Sequence, residues 1–217
     1  MTADLFESVA DLLPAREAMA EGAVLLRGFA RPSEIGLLAA LRDIESQAPF
    51  RRMFTPGGHQ MSVAMTNCGA AGWVTDRGGY RYDGVDPESG KAWPAMPSVF
   101  HELAEGAARE AGFAGFAPDA CLINRYEPGA KMSLHQDRDE KDFSAPIVSV
   151  SLGLPAIFLF GGMKRTDKPQ RYRLQHGDVV VWGGPSRLFF HGVAPLADGE
   201  HPLLGGKRIN LTFRKAR

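Results

Sequence analysis

From residue 118 onward the chain is a succession of short β-type runs. "ACLINRYEP", "SAPIVSVSLGLPAIFLFGG", "RYRLQHGDVVVWGG", "RLFFHGVAPL" and "KRINLTFRKA" are rich in β-branched and aromatic residues and are separated by Gly, Pro and Asp turns. Many short strands at close intervals predict a sandwich or small barrel, because no single sheet could bury that much apolar surface without a second layer. The chain ahead of residue 118 has a different character. "GAVLLRGFA" (22–30) reads as a buried strand, and residues 4–20 as short helical pieces around Pro14. "RPSEIGLLAALRDIESQ" (31–47) predicts an amphipathic helix, with Ser33 as N-cap, Ile35, Leu38, Leu41 and Ile44 at helical spacing, and Pro49 closing it. "MPSVFHELAEGAAREAG" (96–112) predicts a second helix, with Pro97 near its first position and Ser98 near its start.

Residues 50–97 fit neither pattern. They are rich in Gly, Pro, Met and aromatics, with "TPGGHQMSVAMTNCG" and "GGYRYDG" predicting hairpins closed by glycine turns. Trp73, Tyr80, Tyr82 and Trp93 lie here without the steady alternation of a core sheet. Two readings are open: an aromatic flap covering something, or an irregular subdomain with its own small aromatic core.

Charge supplies no global argument about partners. With 25 basic and 25 acidic residues the formal net charge is +0, so nothing global points to a polyanionic partner. Local basic clusters remain, "KRTDKPQRYR" (164–173) and "KRINLTFRKAR" (207–217), and solvated surface accounts for such clusters equally well. The two cysteines, Cys68 and Cys121, are too few for a disulfide framework or a Cys-rich zinc site and are expected to be packed thiols. No apolar run approaches the ~20 residues that span a bilayer, and the N-terminus lacks the pattern of a secretory leader. The expectation is a soluble cytoplasmic protein that does not engage membranes, and nothing in it demands more than a monomer.

"LHQDRDE" (134–140) gathers a histidine and three acidic residues, and His135-x-Asp137 places two metal-capable side chains on one face if the segment is a strand. His191, on a distant run, would complete a two-histidine, one-carboxylate face that suits non-haem Fe(II). Spacing alone does not decide this, because "QHGDVVV" (175–181) repeats it as His176-x-Asp178. That second pair sits at a Gly turn leading into "VVVW", where turn hydrogen bonds are the expected role. His59, His101 and His201 have no carboxylate at ligand spacing and read as surface or structural.

The strand "KRINLTFR" (207–214) adds a separate signal. Arg208, Asn210, Thr212 and Arg214 alternate with Ile209, Leu211 and Phe213, so two arginines share one face. On an inward face arginines are costly unless they meet carboxylates, whose planar geometry the guanidinium fork matches. A dicarboxylate that also chelates iron would explain both signals; a solvated edge strand with its polar face outward would explain the second alone.

"NRYEPGAKMSLHQDRDE", "FFHGV" and "RINLTFR", supported by "MSVAMTNCG", "DPESGKAWPAMP", "PDACLINRY", "IVSVSLGLPAIF" and "HGDVVVWGG", resemble the AlkB family of Fe(II)- and 2-oxoglutarate-dependent nucleic-acid demethylases over nearly the whole chain. The resemblance is specific enough to suggest the bacterial AlkB type. It implies a mainly β fold with flanking helices: a double-stranded β-helix (jelly-roll) core carrying N-terminal helices and a nucleotide-recognition lid. The corresponding divisions are residues 1–49 as N-terminal support, 50–97 as lid, 98–117 as a supporting helix and 118–217 as the core.

The resemblance also implies roles. His135, Asp137 and His191 match the iron ligands. Arg208 and Arg214 match the arginines that hold the 2-oxoglutarate carboxylates, with Asn124, Tyr126 and Asn210 as further co-substrate contacts. Trp73 matches an aromatic stacking on a flipped base against His135, Tyr80 and Tyr82 match lid residues touching the nucleotide, Asp139 a carboxylate beside the base, and Arg165 a substrate contact. Thr55 and Arg51 are candidates for contacts to the nucleic-acid backbone. Glu140, on the opposite strand parity, is expected to be solvated.

The implied activity is oxidative removal of methyl groups from 1-methyladenine- or 3-methylcytosine-type bases in DNA, with RNA as a further candidate. It uses Fe(II), O₂ and 2-oxoglutarate and releases formaldehyde, succinate and CO₂, reversing alkylation damage directly. Two other classes remain at this point: a hydroxylase with the same cofactors acting on a protein or small metabolite, and a β-barrel binding module whose His/Asp set is structural or holds zinc.

Overall fold

The computed structural model describes residues 15–217. Two β-sheets face one another and two helices cover the outside of the larger one. The larger sheet has seven strands in the spatial order β1-β2-β11-β8-β13-β6-β3: β1 Arg16–Ala20, β2 Ala23–Leu26, β11 Val179–Trp182, β8 Ile147–Gly153, β13 Arg208–Arg214, β6 Ala120–Tyr126 and β3 Ala64–Gly69. The smaller has four, in the order β10-β9-β12-β7: β10 Gln170–Leu174, β9 Ala156–Phe160, β12 His191–Val193 and β7 Met132–His135. A separate hairpin of β4 Gly72–Asp76 and β5 Gly79–Asp83 stands beside them. The resolved pairings are antiparallel throughout, as the short turns between runs require.

Strand β11, inside the larger sheet, is apolar on both faces, and each face has its own core. In β11, Val179 and Val181 join the cluster under the helices, while Val180 and Trp182 join the cluster between the sheets. This double burial explains why "VVVW" is a continuous apolar run with no alternation. Each such fully buried side chain contributes about 1.5–3 kcal/mol through removal from water. Helix α1 (Glu34–Gln47) and helix α2 (Ser98–Glu110) supply Leu37, Leu41, Ile44, Phe100 and Leu103 to the outer cluster.

Several local expectations shift by a residue or change face. A 3-10 turn over Arg31–Ser33 precedes α1, and Ser33 caps it without a side-chain hydrogen bond. The buried stripe of α1 is Leu37, Ala40, Leu41 and Ile44, whereas Ile35 is 81% exposed. The register turns because Ile35 sits in the first turn, before the helix meets the sheet. The helical reading of residues 4–20 fails for β1, which pairs with β2 through Arg16↔Leu26 and Glu17↔Leu25; its first part falls outside the described residues. Cys68 and Cys121 are buried free thiols opposite one another on β3 and β6.

The strand "RINLTFR" lies between β8 and β6, inside the larger sheet. The solvated edge-strand alternative is therefore excluded. Ile209, Leu211 and Phe213 point into the outer core, and Arg208, Asn210, Thr212 and Arg214 point between the two sheets, all buried. A polar row in the interior of a β-sandwich disfavours folding unless partners meet it. Its position marks the place where the fold gives up core packing for chemistry.

Candidate active site

A cleft of about 690 Å³ opens between the sheets, and the hairpin β4–β5 overhangs it. Its floor carries Asn124, Arg208, Asn210, Thr212 and Arg214; its wall carries His135, Asp137 and His191; its mouth carries Thr55, Trp73, Tyr80, Asp139 and Arg165. The size suits a co-substrate together with part of a larger substrate.

His135 ends β7 and His191 begins β12, and the two are direct cross-strand partners with ring centroids 4.4 Å apart. Gly192 allows this approach: a Cβ there would stand 2.7 Å from the Met132 carbonyl oxygen of the neighbouring strand. The ligand atoms of His135, Asp137 and His191 all lie within 4.8 Å of one another. His135 Nδ1 is 2.8 Å from the Ser133 carbonyl and His191 Nδ1 is 3.0 Å from the Phe189 carbonyl. A carbonyl only accepts, so each Nδ1 carries a hydrogen and each Nε2 is left facing Asp137, at 3.7 and 3.6 Å. Two imidazoles and one carboxylate on a single side form the donor set of a non-haem Fe(II) centre, and these residues fit that ion.

Charge states agree with that reading. Burial, then the neighbouring His191, lowers the pKa of His135 to about 4, so its ring is neutral at ordinary pH. Burial works against the Asp137 carboxylate, but the Arg214 charge and His191 outweigh it and hold the group well below the usual range. Burial likewise opposes the Arg214 cation, and Asp137, Tyr82 and Glu140 more than offset it.

The floor contains unmet hydrogen-bonding capacity. Arg208 is 1% exposed; its Nη2 donates to Ser151 Oγ at 2.9 Å and its guanidinium lies 4.9 Å above the Tyr126 ring. Its Nε and Nη1, and Asn124 Oδ1 nearby, have no partner. A buried arginine with two idle donors is rare in a finished core and fits a carboxylate-bearing ligand such as 2-oxoglutarate. Asn210 is positioned by donating to Ser149 Oγ and the Val150 carbonyl, and accepts from Thr212 Oγ1. Tyr126 contacts the site only from beneath Arg208 and does not line the cleft.

On the overhanging hairpin, Trp73 stacks against Tyr80 with centroids 5.6 Å apart and donates its indole N–H to Asp139 Oδ2 at 2.7 Å. Tyr82 does not face the cleft; its hydroxyl donates to Glu140 Oε1 at 2.7 Å. Arg51 is held by Asp86 and Glu88, away from the cleft.

Two readings of "LHQDRDE" need correction. The strand ends at His135, so Asp137 does not share its face by strand parity; it and Asp139 lie on irregular chain that folds around the cleft. Glu140 is not solvated: it is 6% exposed and sits 3.2 Å from both Arg187 Nη2 and Arg214 Nε. Parity arguments missed Glu140 and Arg187 because they presume a continuing strand. The only signal available was a second arginine four residues before His191, in "RLFFH". The repeated His-x-Asp pair behaves as its turn context predicts: His176 Nδ1 accepts from Gly153 N–H, and Asp178 accepts from Gly28 and Gln175 N–H.

A β-sandwich with two histidines, a carboxylate and buried arginines in one cleft defines an iron- and 2-oxoacid-dependent oxygenase. The family model described as "2OG-Fe(II) oxygenase superfamily" matches residues 22–214, and the chain belongs to that superfamily. More narrowly it stands among the AlkB dioxygenases. It is 61% identical over 213 residues, 98% of this chain and 97% of the relative, to the alpha-ketoglutarate-dependent dioxygenase AlkB of Escherichia coli (strain K12). It is 48% identical over 182 residues, 83% of this chain and 81% of the relative, to the AlkB homolog of Caulobacter vibrioides (strain NA1000 / CB15N). The solved structure of OsALKBH1 superposes with a TM-score of 0.81 at 29% identity, covering 92% of this chain and 99% of that one. The chain is an Fe(II)- and 2-oxoglutarate-dependent dioxygenase, and the binding-module reading is set aside.

Proposed function

We propose that this dioxygenase removes N-linked alkyl groups from bases of the 1-methyladenine and 3-methylcytosine type in nucleic acid, with DNA as principal substrate. The observation that carries the proposal is the Trp73–Asp139 pair: an indole on a hairpin over the cleft, hydrogen-bonded to a carboxylate two residues beyond Asp137. A protein or small-metabolite substrate gives no reason for a flat aromatic face beside a negative charge at the cleft mouth.

His135, Asp137 and His191 would hold Fe(II), and Arg208 and Arg214, with Asn124 and Asn210, would hold 2-oxoglutarate, Tyr126 supporting Arg208 from beneath. Bound there, Fe(II) with 2-oxoglutarate would supply O₂-dependent hydroxylation of the alkyl carbon, so that succinate, CO₂ and, once the carbon–nitrogen bond breaks, formaldehyde would be released. The chain's own part is binding, orientation and exclusion of water. Arg208 meets the co-substrate carboxylate with donors already aimed and already dry, so little reorganisation opposes binding. A base stacked in a duplex cannot reach a wall deep in the cleft, so the target must leave the stack. Trp73 replaces the lost base stacking, a contribution on the order of 1–3 kcal/mol per base.

Asp139 sets the preference. 1-Methyladenine and 3-methylcytosine carry positive charge near neutral pH, and an adjacent carboxylate both attracts that charge and accepts a hydrogen bond from the exocyclic amine. An unmodified base is neutral and gains only the second contact. Tyr80, Arg165 and Thr55 line the mouth and would touch the nucleotide outside the pocket, so binding should weaken with salt. One chain supplies every group named, and we assign the reaction to the cytoplasm, where the thiols of Cys68 and Cys121 stay reduced. Competition between 3-methylcytosine and cytosine oligonucleotides tests this reading: Asp139→Asn should lose most of the discrimination, and unchanged discrimination would contradict the role of the carboxylate.

A further inference from the structure

The wall of the cleft rests on chain that has no ladder to hold it. Residues 136–146, between β7 and β8, form no helix or strand, yet they carry Asp137, Asp139 and Glu140. Among the described residues, positions 136–145 make no backbone–backbone hydrogen bond. Metal ligands on such a segment would be expected to wander unless side chains elsewhere fix them.

Trp73, Tyr82 and Arg214 hold side chains of this segment, and Arg187 holds its backbone. Arg187 Nη1 donates to the Asp137 carbonyl at 3.0 Å, and its Nε donates to the Ala145 carbonyl at 3.1 Å. Its Nη2 lies 3.2 Å from Glu140 Oε2, and its guanidinium carbon lies 5.3 Å from the Phe143 ring centroid. All three guanidinium nitrogens thus engage one segment, at both ends and in the middle. Arg187 is 3% exposed, so water competes for none of these contacts.

The post from which it reaches is itself tied down. The 3-10 turn Gly184–Ser186 precedes it; Arg187 N–H donates to the Gly184 carbonyl, Gly183 N–H to Gly22, and Ser186 Oγ to the Glu21 carbonyl at the β1–β2 turn. The larger sheet therefore holds the arginine, and the arginine holds the irregular segment. No assigned step uses Arg187: it does not line the cleft and touches neither the co-substrate floor nor the mouth.

We infer that Arg187 is the positioning residue of the metal centre. It fixes the backbone of Asp137 at the carbonyl and, through Glu140, the carboxylate that shares Arg214. The inference rests on the reading of His135, Asp137 and His191 as metal ligands. A point charge would not replace it, since lysine has one nitrogen where the segment requires three at fixed angles. Groups that orient metal ligands typically contribute 10–100-fold to metal affinity.

The test uses the full chain and Mn(II) as a redox-inert probe, with free Mn(II) followed by electron paramagnetic resonance. Wild type should bind one Mn(II), and Asp137→Ala should bind none; if wild type fails to bind, the ligand reading itself fails. Arg187→Lys should weaken Mn(II) binding on the order of 10–100-fold. Arg27→Lys is the control for stability: Arg27 is a partly buried arginine, paired with Glu17 and Asp178 far from the cleft, and its variant should bind as wild type does. If Arg187→Lys does not fold, Arg187→Gln, which keeps donors for the carbonyls, is measured in its place under the same expectation. Wild-type affinity in the variant that folds would overturn the inference. So would an equal loss in Arg27→Lys, which would make the effect global.

Discussion

Arg214 places two nitrogens on one oxygen of Asp137: Nε lies 3.1 Å and Nη2 2.8 Å from Oδ2. The same oxygen stands 3.6 Å from His191 Nε2. The residue that would bind iron and the residue that would bind 2-oxoglutarate are therefore already in contact, and the two ligands' sites share a carboxylate.

Asp137→Ala consequently removes more than a metal ligand. Turnover should fall to background. Arg214 would keep only Glu140, and breaking one side of a buried ion pair costs about 3 kcal/mol. That corresponds to a Tm lower by roughly 6–12 °C for a chain of this size. Differential scanning of the chelator-treated variant checks this; an unchanged Tm would mean that the pair adds nothing to stability.

Arg208 should behave in the opposite sense. Its Nε and Nη1 have no partners, so the charge is held at a cost. Arg208→Met should raise the urea midpoint of the protein measured without 2-oxoglutarate, by about 1 kcal/mol in unfolding free energy. The same change should abolish 2-oxoglutarate binding in titration calorimetry with Mn(II) present. Lower stability with intact binding would contradict the assignment of its idle donors.

Trp73 has two separable functions. Trp73→Phe retains a flat ring but loses the hydrogen bond to Asp139, and should raise KM for a 3-methylcytosine oligonucleotide about fivefold, a loss of about 1 kcal/mol. Trp73→Ala also loses stacking, and should raise KM further, in line with about 1–3 kcal/mol per base. Steady-state kinetics with 2-oxoglutarate saturating separates the two; equal effects would leave the indole N–H without a role.

The pH dependence follows from His135. Burial and His191 hold its pKa at about 4 in the folded chain, below the ordinary value of 6.5. Between those values the unfolded chain binds a proton that the folded one does not, so stability rises with pH across the window. Its contribution is complete above pH 6.5 and is lost progressively as pH falls toward 4. The side chain is 38% exposed into the cleft, so the effect is smaller than full burial would give. Urea midpoints at pH 7 and pH 5 with chelator present should differ more for wild type than for His135→Gln.

What could be read from the sequence divides along physical lines. The β-rich core and the polar face of "RINLTFR" were legible because strand alternation and apolar runs are local signals. The His135–Asp137–His191 set was only a candidate by spacing, singled out by the resemblance, since Asp137 lies beyond the end of β7. The repeated His176-x-Asp178 pair was separable by a local signal, its turn context. Glu140 was misread because β7 stops at His135, and no local signal announces where pairing ends. Ile35 was misread because helical period gives a stripe but not which edge of it meets the sheet. Residues 16–20 were read as helix because pairing with β2 is a tertiary fact. Arg187 was invisible because its three acceptors are 42 to 50 residues away in the chain.

The central claim is that this cleft oxidises the alkyl group of a cationic base. The most direct measurement is the parallel quantification of formaldehyde and succinate from a 3-methylcytosine oligonucleotide with Fe(II), O₂ and 2-oxoglutarate. The account predicts equal amounts of both from the wild type, conversion of the base to cytosine, and neither product from Asp137→Ala. Succinate without formaldehyde, with the methylated base recovered intact, would contradict it.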